Sequence, residues 1–512
     1  MTRTSEEIGR GLAAPRPAQP IAPGTRIHVI GVGGAASSGA AIHAAAAGAI
    51  VTACDAGGPD PLTGAVAAAG IPIAWSHDPS HIRGADGARL VDRVAVTKAI
   101  TSVDPDHPEL VAARALGIEP ESVQQVIADA AATRGRRLIA VTGTHGKSTT
   151  SGWMLDILVG AGTDPSGFVG AMLPAAIAGP QRGVARIGDG RDFVVEADEY
   201  AGNFEPYRPD ITVLISAEWD HPDVFADEAA VVTAFADWIR RSGSATGEPP
   251  TLVANVGDQG VRRVLDALAG WPGRRIGVQL LADGEAARED AAIIGTVVAE
   301  TGDGTDLVVG GLRGPGGEPD RVRIRPIGRH LAIDGLMAAG GALAAGVDAD
   351  SILAGLASFE GVGRRFELKG EVGGVTVLDD YAHHPTAMRA TFGAARRRYP
   401  GRRLWAVYEP LTYHRTAAML DDFAEVLAEA DRAAVIDIWA VRDPDRTITS
   451  AQALADAVTA RSAVPATAIG SPEAGAAWLA DAVEPGDVVL VMGGGRSYVA
   501  AEQLVERLRA RG

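Results

Sequence analysis

The segment LIAVTGTHGKSTTSGWML, residues 138–155, constrains this chain more than any other. An apolar run of strand character enters a Gly-rich turn and then a helical stretch, which is the layout of a phosphate-binding loop. Backbone N–H groups from Gly143 through Thr144, His145 and Gly146 to Ser148 can surround phosphate oxygens, and Lys147 can neutralise the β/γ charge. A hydroxyl of Ser148 or Thr149 can ligate Mg²⁺. The spacing departs from the general G-x-x-x-x-G-K-[ST] pattern, because Val141 stands at the first-glycine position.

Strand-like runs alternate with Ala-rich helical stretches along the whole chain: RIHVIGVG, GAIVTACD, RRLIAVTG, DFVVEAD, ITVLISAE, RLWAVYEP, RAAVIDIW and DVVLVMGGG. That rhythm predicts α/β domains with largely parallel sheets, and 512 residues suffice for about three of them at ~150 residues each. Turns at Gly31, Gly143 and near Asp379 each follow a strand. The expected organisation is a disordered Pro- and Ala-rich leader at 1–23, then domains at 24–137, 138–362 and 363–512. The Gly-rich stretch 302–320 reads as a hairpin late in the second domain, since an alternating strand and a helical run follow it.

A formal charge of −17 argues against non-specific attraction to nucleic acid or anionic membrane, so an anionic substrate must be held by local devices. No apolar run approaches the ~20 residues that span a bilayer. Cys54 is the single cysteine, which makes an internal disulfide impossible and points to the cytoplasm.

Two further strand ends carry carboxylates. DFVVEADEY brings Glu196, Asp198 and Glu199, and ITVLISAEWDHPDVF brings Glu218, Asp220 and His221. Hard oxygen donors with one imidazole suit Mg²⁺ held between phosphates and a substrate carboxylate. Near the N-terminus, IHVIGVGG, a helix and a strand ending in Asp55 read by themselves as a dinucleotide-binding unit, with Asp55 about 20 residues beyond the glycines to meet a ribose.

TGT-x-GK-[ST] resembles the ATP loop of the Mur ligases, and His145 at the variable position is similar to the branch that joins L-alanine to UDP-N-acetylmuramate. EADE and DH-x-D are two more signatures of that family. By position they carry metal-binding roles onto Glu196 and His221, beside Ser148. The resemblance implies a Rossmann-like UDP-binding domain, a P-loop ATPase-like central domain and a Rossmann-like C-terminal domain. It assigns Gly31, Gly33, Gly34 and Asp55 to the UDP-sugar, a reading to which SHDPSHIRGAD and HPELVAAR also lean. GVGRRFELKG and VTVLDDYAHHPT resemble later signatures, bringing Arg364, Arg365 and Asp379 to ATP and His383 and His384 to the incoming amine. His330 is kept from a G-x-H-N-x-x-N motif whose asparagines face adenine, but Leu331 and Asp334 replace the two amides. Leu411, Thr412 and Arg496 are further departures, and Arg415 remains as the anchor for the amino-acid carboxylate. Other members follow DH-x-D with a carbamylated lysine, which this chain cannot do because no lysine lies between Lys147 and Lys369.

The implied activity is an ATP- and Mg²⁺-dependent amide ligase of peptidoglycan precursor synthesis, acting on UDP-N-acetylmuramate and L-alanine through an acyl phosphate. The departures leave open another amino-acid or peptide acceptor and a catalytically impaired UDP-sugar or nucleotide sensor. The first glycine turn alone leaves open a nicotinamide-dependent oxidoreductase.

Overall fold

The structure is a computed structural model that describes residues 2–511 other than 134, 180–182, 244–246, 283, 441–442, 444 and 463–464. Three sheets organise it. The first runs Ile73–Ala74, Ile50–Cys54, Arg26–Ile30, Arg93–Val96, Glu121–Ser122, every pair parallel. Its central strand buries Ile27, Val29 and Ile30 completely, as an all-parallel strand covered on both faces must.

The second sheet has ten strands. Its parallel heart places Arg137–Thr142 between Asp192–Glu196 and Ile211–Leu214, with Thr251–Asn255 and Arg274–Leu281 beyond. An antiparallel meander of Ala291–Thr301, Gly304–Gly310 and Asp320–Ile324 closes one side, so the stretch read as a hairpin does fold as one. Helix Lys147–Gly160 rises from the end of the central strand and packs on Arg329–Ala344. The contact is close because position 335 is glycine: a Cβ there would lie 2.9 Å from the Trp153 ring.

The third sheet runs Glu367–Val372, Val375–Asp380, Val488–Gly493, Leu404–Glu409, Arg432–Val435, Thr467–Ala468, parallel except for its first strand. The α/β class expected from the strand–helix rhythm is therefore the architecture found, once per sheet.

The leader departs from expectation. Residues 5–8 form a helical turn capped reciprocally by Thr4 and Glu7, and Ile8 is fully buried beside Tyr200 and Ala201. Arg16 holds Asp129 through two hydrogen bonds of 2.9 and 2.6 Å, and Ile21 joins the first domain's core. Composition suggested disorder because it averages over few apolar residues; the two that matter, Ile8 and Ile21, find ready-made apolar sites.

Candidate active site

Adjacent parallel strands end at one edge, and the loops leaving that edge meet. Val141 pairs with Glu196, and Thr142 with Leu214. The phosphate loop, the EADE segment and the EWDH segment therefore converge by register alone. Gly143 (φ 138°) and Gly146 (φ 83°) take backbone shapes that other residues resist, and Gly146 caps the helix that begins at Lys147.

Lys147 Nζ donates to Gly143 O at 2.7 Å and to Glu199 Oε2 at 2.9 Å. Burial alone would depress its pKa, but the carboxylates of Glu199, Asp198 and Glu196 raise it, so the ammonium stays charged. Burial likewise opposes ionisation of Glu199, yet Lys147 and His221 hold its carboxyl down at about 2. Ser148 Oγ meets Glu196 Oε1 at 3.1 Å, and Glu196 Oε2 accepts from Gly170 N at 2.7 Å. Asp198, Glu199 and His221 form a second donor group, in which His221 Nε2 lies 3.6 Å from Glu199 Oε1. That oxygen is buried and has no hydrogen-bond partner, as a carboxylate kept for a cation would be.

The third domain presents its own strand ends to this edge. Arg365 Nη2 donates to Ser148 Oγ at 3.1 Å and lies over the Tyr381 ring. Thr386 Oγ1 donates to Glu218 Oε2 at 3.1 Å, and the His145 and His384 rings sit 4.6 Å apart. Burial depresses both histidines of the loop, His384 to about 4 with help from His145, and His383 well below its ordinary value with help from Arg415. Their tautomers differ. His383 Nδ1–H donates to Tyr381 O (2.9 Å), which leaves Nε2 an acceptor. His384 Nδ1 accepts from Thr386 N (3.3 Å), which leaves Nε2–H a donor.

Most of these groups border one cavity of about 560 Å³, lined by the 144–149 loop, Glu196, Asp198, Glu218, Asp220, His221, His330, Asp334, Arg365, Asp380, His383 and His384, with Glu199 buried behind it. The first domain closes it with Ala35, Ala36, Thr97 and Lys98.

The amino-acid sequence of this chain is 36% identical to UDP-N-acetylmuramate–L-alanine ligase of Mycolicibacterium vanbaalenii over 95% of the chain and 97% of that protein. It is 35% identical to the ligase of the same name from Mycolicibacterium smegmatis over 94% and 95%. The chain belongs to the Mur ligase family. Residues 26–134 match the description "Mur ligase family, catalytic domain" and 364–495 match "Mur ligase, glutamate ligase domain". In fold it is similar to the UDP-N-acetylmuramate–alanine ligase of Thermotoga maritima (TM-score 0.74, 22% identity, 95% of this chain and 100% of that one). It is also similar to a murein peptide ligase of Psychrobacter arcticus (TM-score 0.70, 23% identity, 95% and 99%).

Several expected site residues of this Mur ligase lie elsewhere. Arg364 does not line the cavity: its guanidinium binds Asp379 (3.2 Å), Gly493 O (2.8 Å), Gly495 O and Ser497 within the third domain. Asp379 is its fully buried partner, pushed up by burial to about 6, and the neighbouring Asp380 faces the cavity instead. The alternation of a strand explains the exchange. Arg415, expected at the acceptor carboxylate, is buried and bound to Asp220 Oδ1 at 2.9 and 2.5 Å, with only Nη1 unpartnered. Arg496 pairs with Glu473 on the surface, away from the cavity.

In the first domain Asp55 closes the glycine turn. Its Oδ2 accepts from Gly33 N and its Oδ1 from Gly57 N, both at 2.7 Å, while Gly31 has φ 73° and Gly34 caps helix Ala35–Ala46. The sequence offered Glu199 and Asp220 among the strand-end carboxylates suited to Mg²⁺ and gave Asp380 no role apart from Asp379; nothing in it marked Lys98. Lys98 stands alone in VAVTKAI with no local pattern, and only folding brings its Nζ to Ala201 O at 2.5 Å beside the cavity.

Proposed function

We propose that this Mur ligase joins L-alanine to UDP-N-acetylmuramate in the cytoplasm, converting ATP to ADP and phosphate with Mg²⁺. The observation that carries the reading is one cavity in which Lys147 and the carboxylates of the second domain face the neutral His383 and His384 of the third. The relatives named for that reaction, similar along nearly the whole chain, support the choice of substrates.

ATP phosphates lie on the 143–149 loop, where Lys147 exchanges its contact with Glu199 for the β/γ oxygens and Arg365 reaches in from the third domain. Ser148 and Glu196, with His221 of the neighbouring group, would hold Mg²⁺, which would supply charge neutralisation to the transferring phosphoryl. The lactyl carboxylate attacks the γ-phosphorus, the bond to the β–γ bridging oxygen breaks, and ADP leaves an acyl phosphate. The amine of alanine attacks the acyl carbon, gives its proton to His383 Nε2, and phosphate departs. The donor face of His384 steadies the departing phosphate. UDP lies along Gly31, Gly33 and Gly34, with Asp55 holding the turn. His330 and Asp334 border the nucleotide. Burial raises the Asp334 carboxyl well above its usual range, against the pull of Arg365, at a position where the family places an amide.

The test is phosphate release from ATP, Mg²⁺ and UDP-N-acetylmuramate with each amino acid in turn. Release that needs both the sugar nucleotide and L-alanine is expected; no release with any amino acid would sink the L-alanine reading. Leu411 lines the cavity where the family commonly has histidine, which favours a larger acceptor as the second reading. Release with a murein-type peptide and none with L-alanine would select it.

A further inference from the structure

Four of the chain's 11 histidines and its single cysteine gather around one buried carboxylate in the first domain. Glu109 is fully buried in the first turn of helix Pro108–Ala115. His28 comes from the central strand, Cys54 from the end of the next strand, and His81 from the short turn Pro79–His81. None of the four borders the ATP cavity.

We propose that His28, Cys54, His81 and Glu109 form a binding site for a divalent transition-metal ion of the zinc type. One ligand atom from each lies within 4.8 Å of all the others. Cys54 Sγ is 3.2 Å from Glu109 Oε2, His28 Nε2 is 3.3 Å from Glu109 Oε1, and His81 Nδ1 is 2.5 Å from the same oxygen. A tetrahedral zinc with bonds of about 2.0–2.3 Å sets its ligand atoms roughly 3.3–3.8 Å apart, so small side-chain rotations suffice.

Two observations separate this cluster from an ordinary polar network. His28 is 1% exposed, and its Nε2 has no hydrogen-bond partner although it is aimed at the cluster. Its other nitrogen, Nδ1, meets Thr52 Oγ1 at 2.8 Å, the outer contact that orients a metal-binding imidazole. The donor set of one thiol, two imidazoles and one carboxylate favours zinc-like ions over Mg²⁺, which prefers all-oxygen surroundings. With four protein ligands the site is closed, as in structural sites, and it ties two strands to the helix behind them. His77 and His107 stand beside it, 3.4 and 3.8 Å from Glu109 Oε2. His77 is partly exposed and offers a way in.

Full-length protein, stripped with chelator and titrated with Co²⁺ in the absence of ATP, tests this. One equivalent is expected to give a near-ultraviolet thiolate-to-cobalt band with intense visible bands of four-coordinate metal, displaced by Zn²⁺. Because Cys54 is the only cysteine, a thiolate band can report no other site. Thr52→Val should weaken Co²⁺ binding by about tenfold or more, and His81→Ala should weaken it further. Folded wild-type protein that shows no thiolate band at saturating Co²⁺ overturns the proposal without recourse to a variant. A band whose affinity is unchanged in both His81→Ala and Glu109→Gln overturns it as well.

Discussion

Two strand–turn–helix units of this molecule are built alike and equipped differently. In the first, Arg26–Ile30 runs through Gly31 to Gly34 into Ala35–Ala46; in the second, Arg137–Thr142 runs through Gly143 to Gly146 into Lys147–Gly160. The first turn and helix contain no Lys or Arg, and their charged partner is an acid, Asp55, spent on the turn's own N–H groups. The second carries Lys147 at its helix start, ringed by Glu196, Asp198 and Glu199. Backbone N–H groups suffice to seat a phosphate, whereas moving one requires charge that can be compensated as it develops. The contrast teaches that the turn seats an anion and its surroundings decide whether chemistry follows.

The largest test of that contrast is Lys147→Ala. Turnover should fall by about 10²–10³-fold or more, while calorimetric affinity for UDP-N-acetylmuramate stays put. A loss confined to sugar-nucleotide binding would reverse the two assignments.

A smaller effect comes from adding one methyl group to each turn. A Cβ on Gly146 would lie 2.3 Å from Asp334 Oδ1 and on a backbone at φ 83°; one on Gly33 would lie 2.9 Å from Asp55 Oδ2. Gly146→Ala should raise KM for ATP and Gly33→Ala should raise KM for the sugar nucleotide, each on the order of tenfold for a loss of about 1.4 kcal/mol. If both variants act on the same KM, the division of labour is wrong.

Lys98 sharpens the comparison, since it lends the first domain a cation from outside its turn. Lys98→Ala should raise KM for UDP-N-acetylmuramate several-fold, up to about tenfold, with kcat nearly unchanged. A fall in kcat alone would place Lys98 with the ATP machinery.

Acid should act on both units alike. Burial depresses His43 in the first unit, and His330 and His384 around the second, from 6.5 to about 4. The unfolded chain therefore binds more protons than the folded one between those values. The stability contributed by the neutral rings is complete above about pH 6.5 and is lost as pH falls towards 4. Melting temperatures measured across that window should decline steadily, and a flat profile would contradict the burial of these rings.

The fold was legible because strand, turn and helix announce themselves locally, and register then brings the loops after Thr142, Glu196 and Leu214 to one edge. That Ser148, Glu196, His221, His383 and His384 border one cavity follows from the same register and from the strand ends of the third domain. Asp379 could not be told from Asp380, because a one-residue step along an extended chain reverses the face, nor Arg364 from Arg365, because they sit in a turn where Arg364 takes φ 58°. The pairing of Arg415 with Asp220 could not be read locally, because the two lie 195 positions apart. Lys98 and the cluster around Glu109 depend on side chains from separate elements, and no local pattern encodes that meeting.

The ordered segment ahead of the first strand bears on how two of the domains hold together. Arg3 N bonds Asp223 O and Ile8 packs on Tyr200 in the middle domain, while Ile8 O accepts from Thr101 and Arg16 grips Asp129 in the first. Chain that clasps two domains at once resists their separation, because parting them would break either the contacts of Arg3 and Ile8 with the middle domain or those of Ile8 and Arg16 with the first.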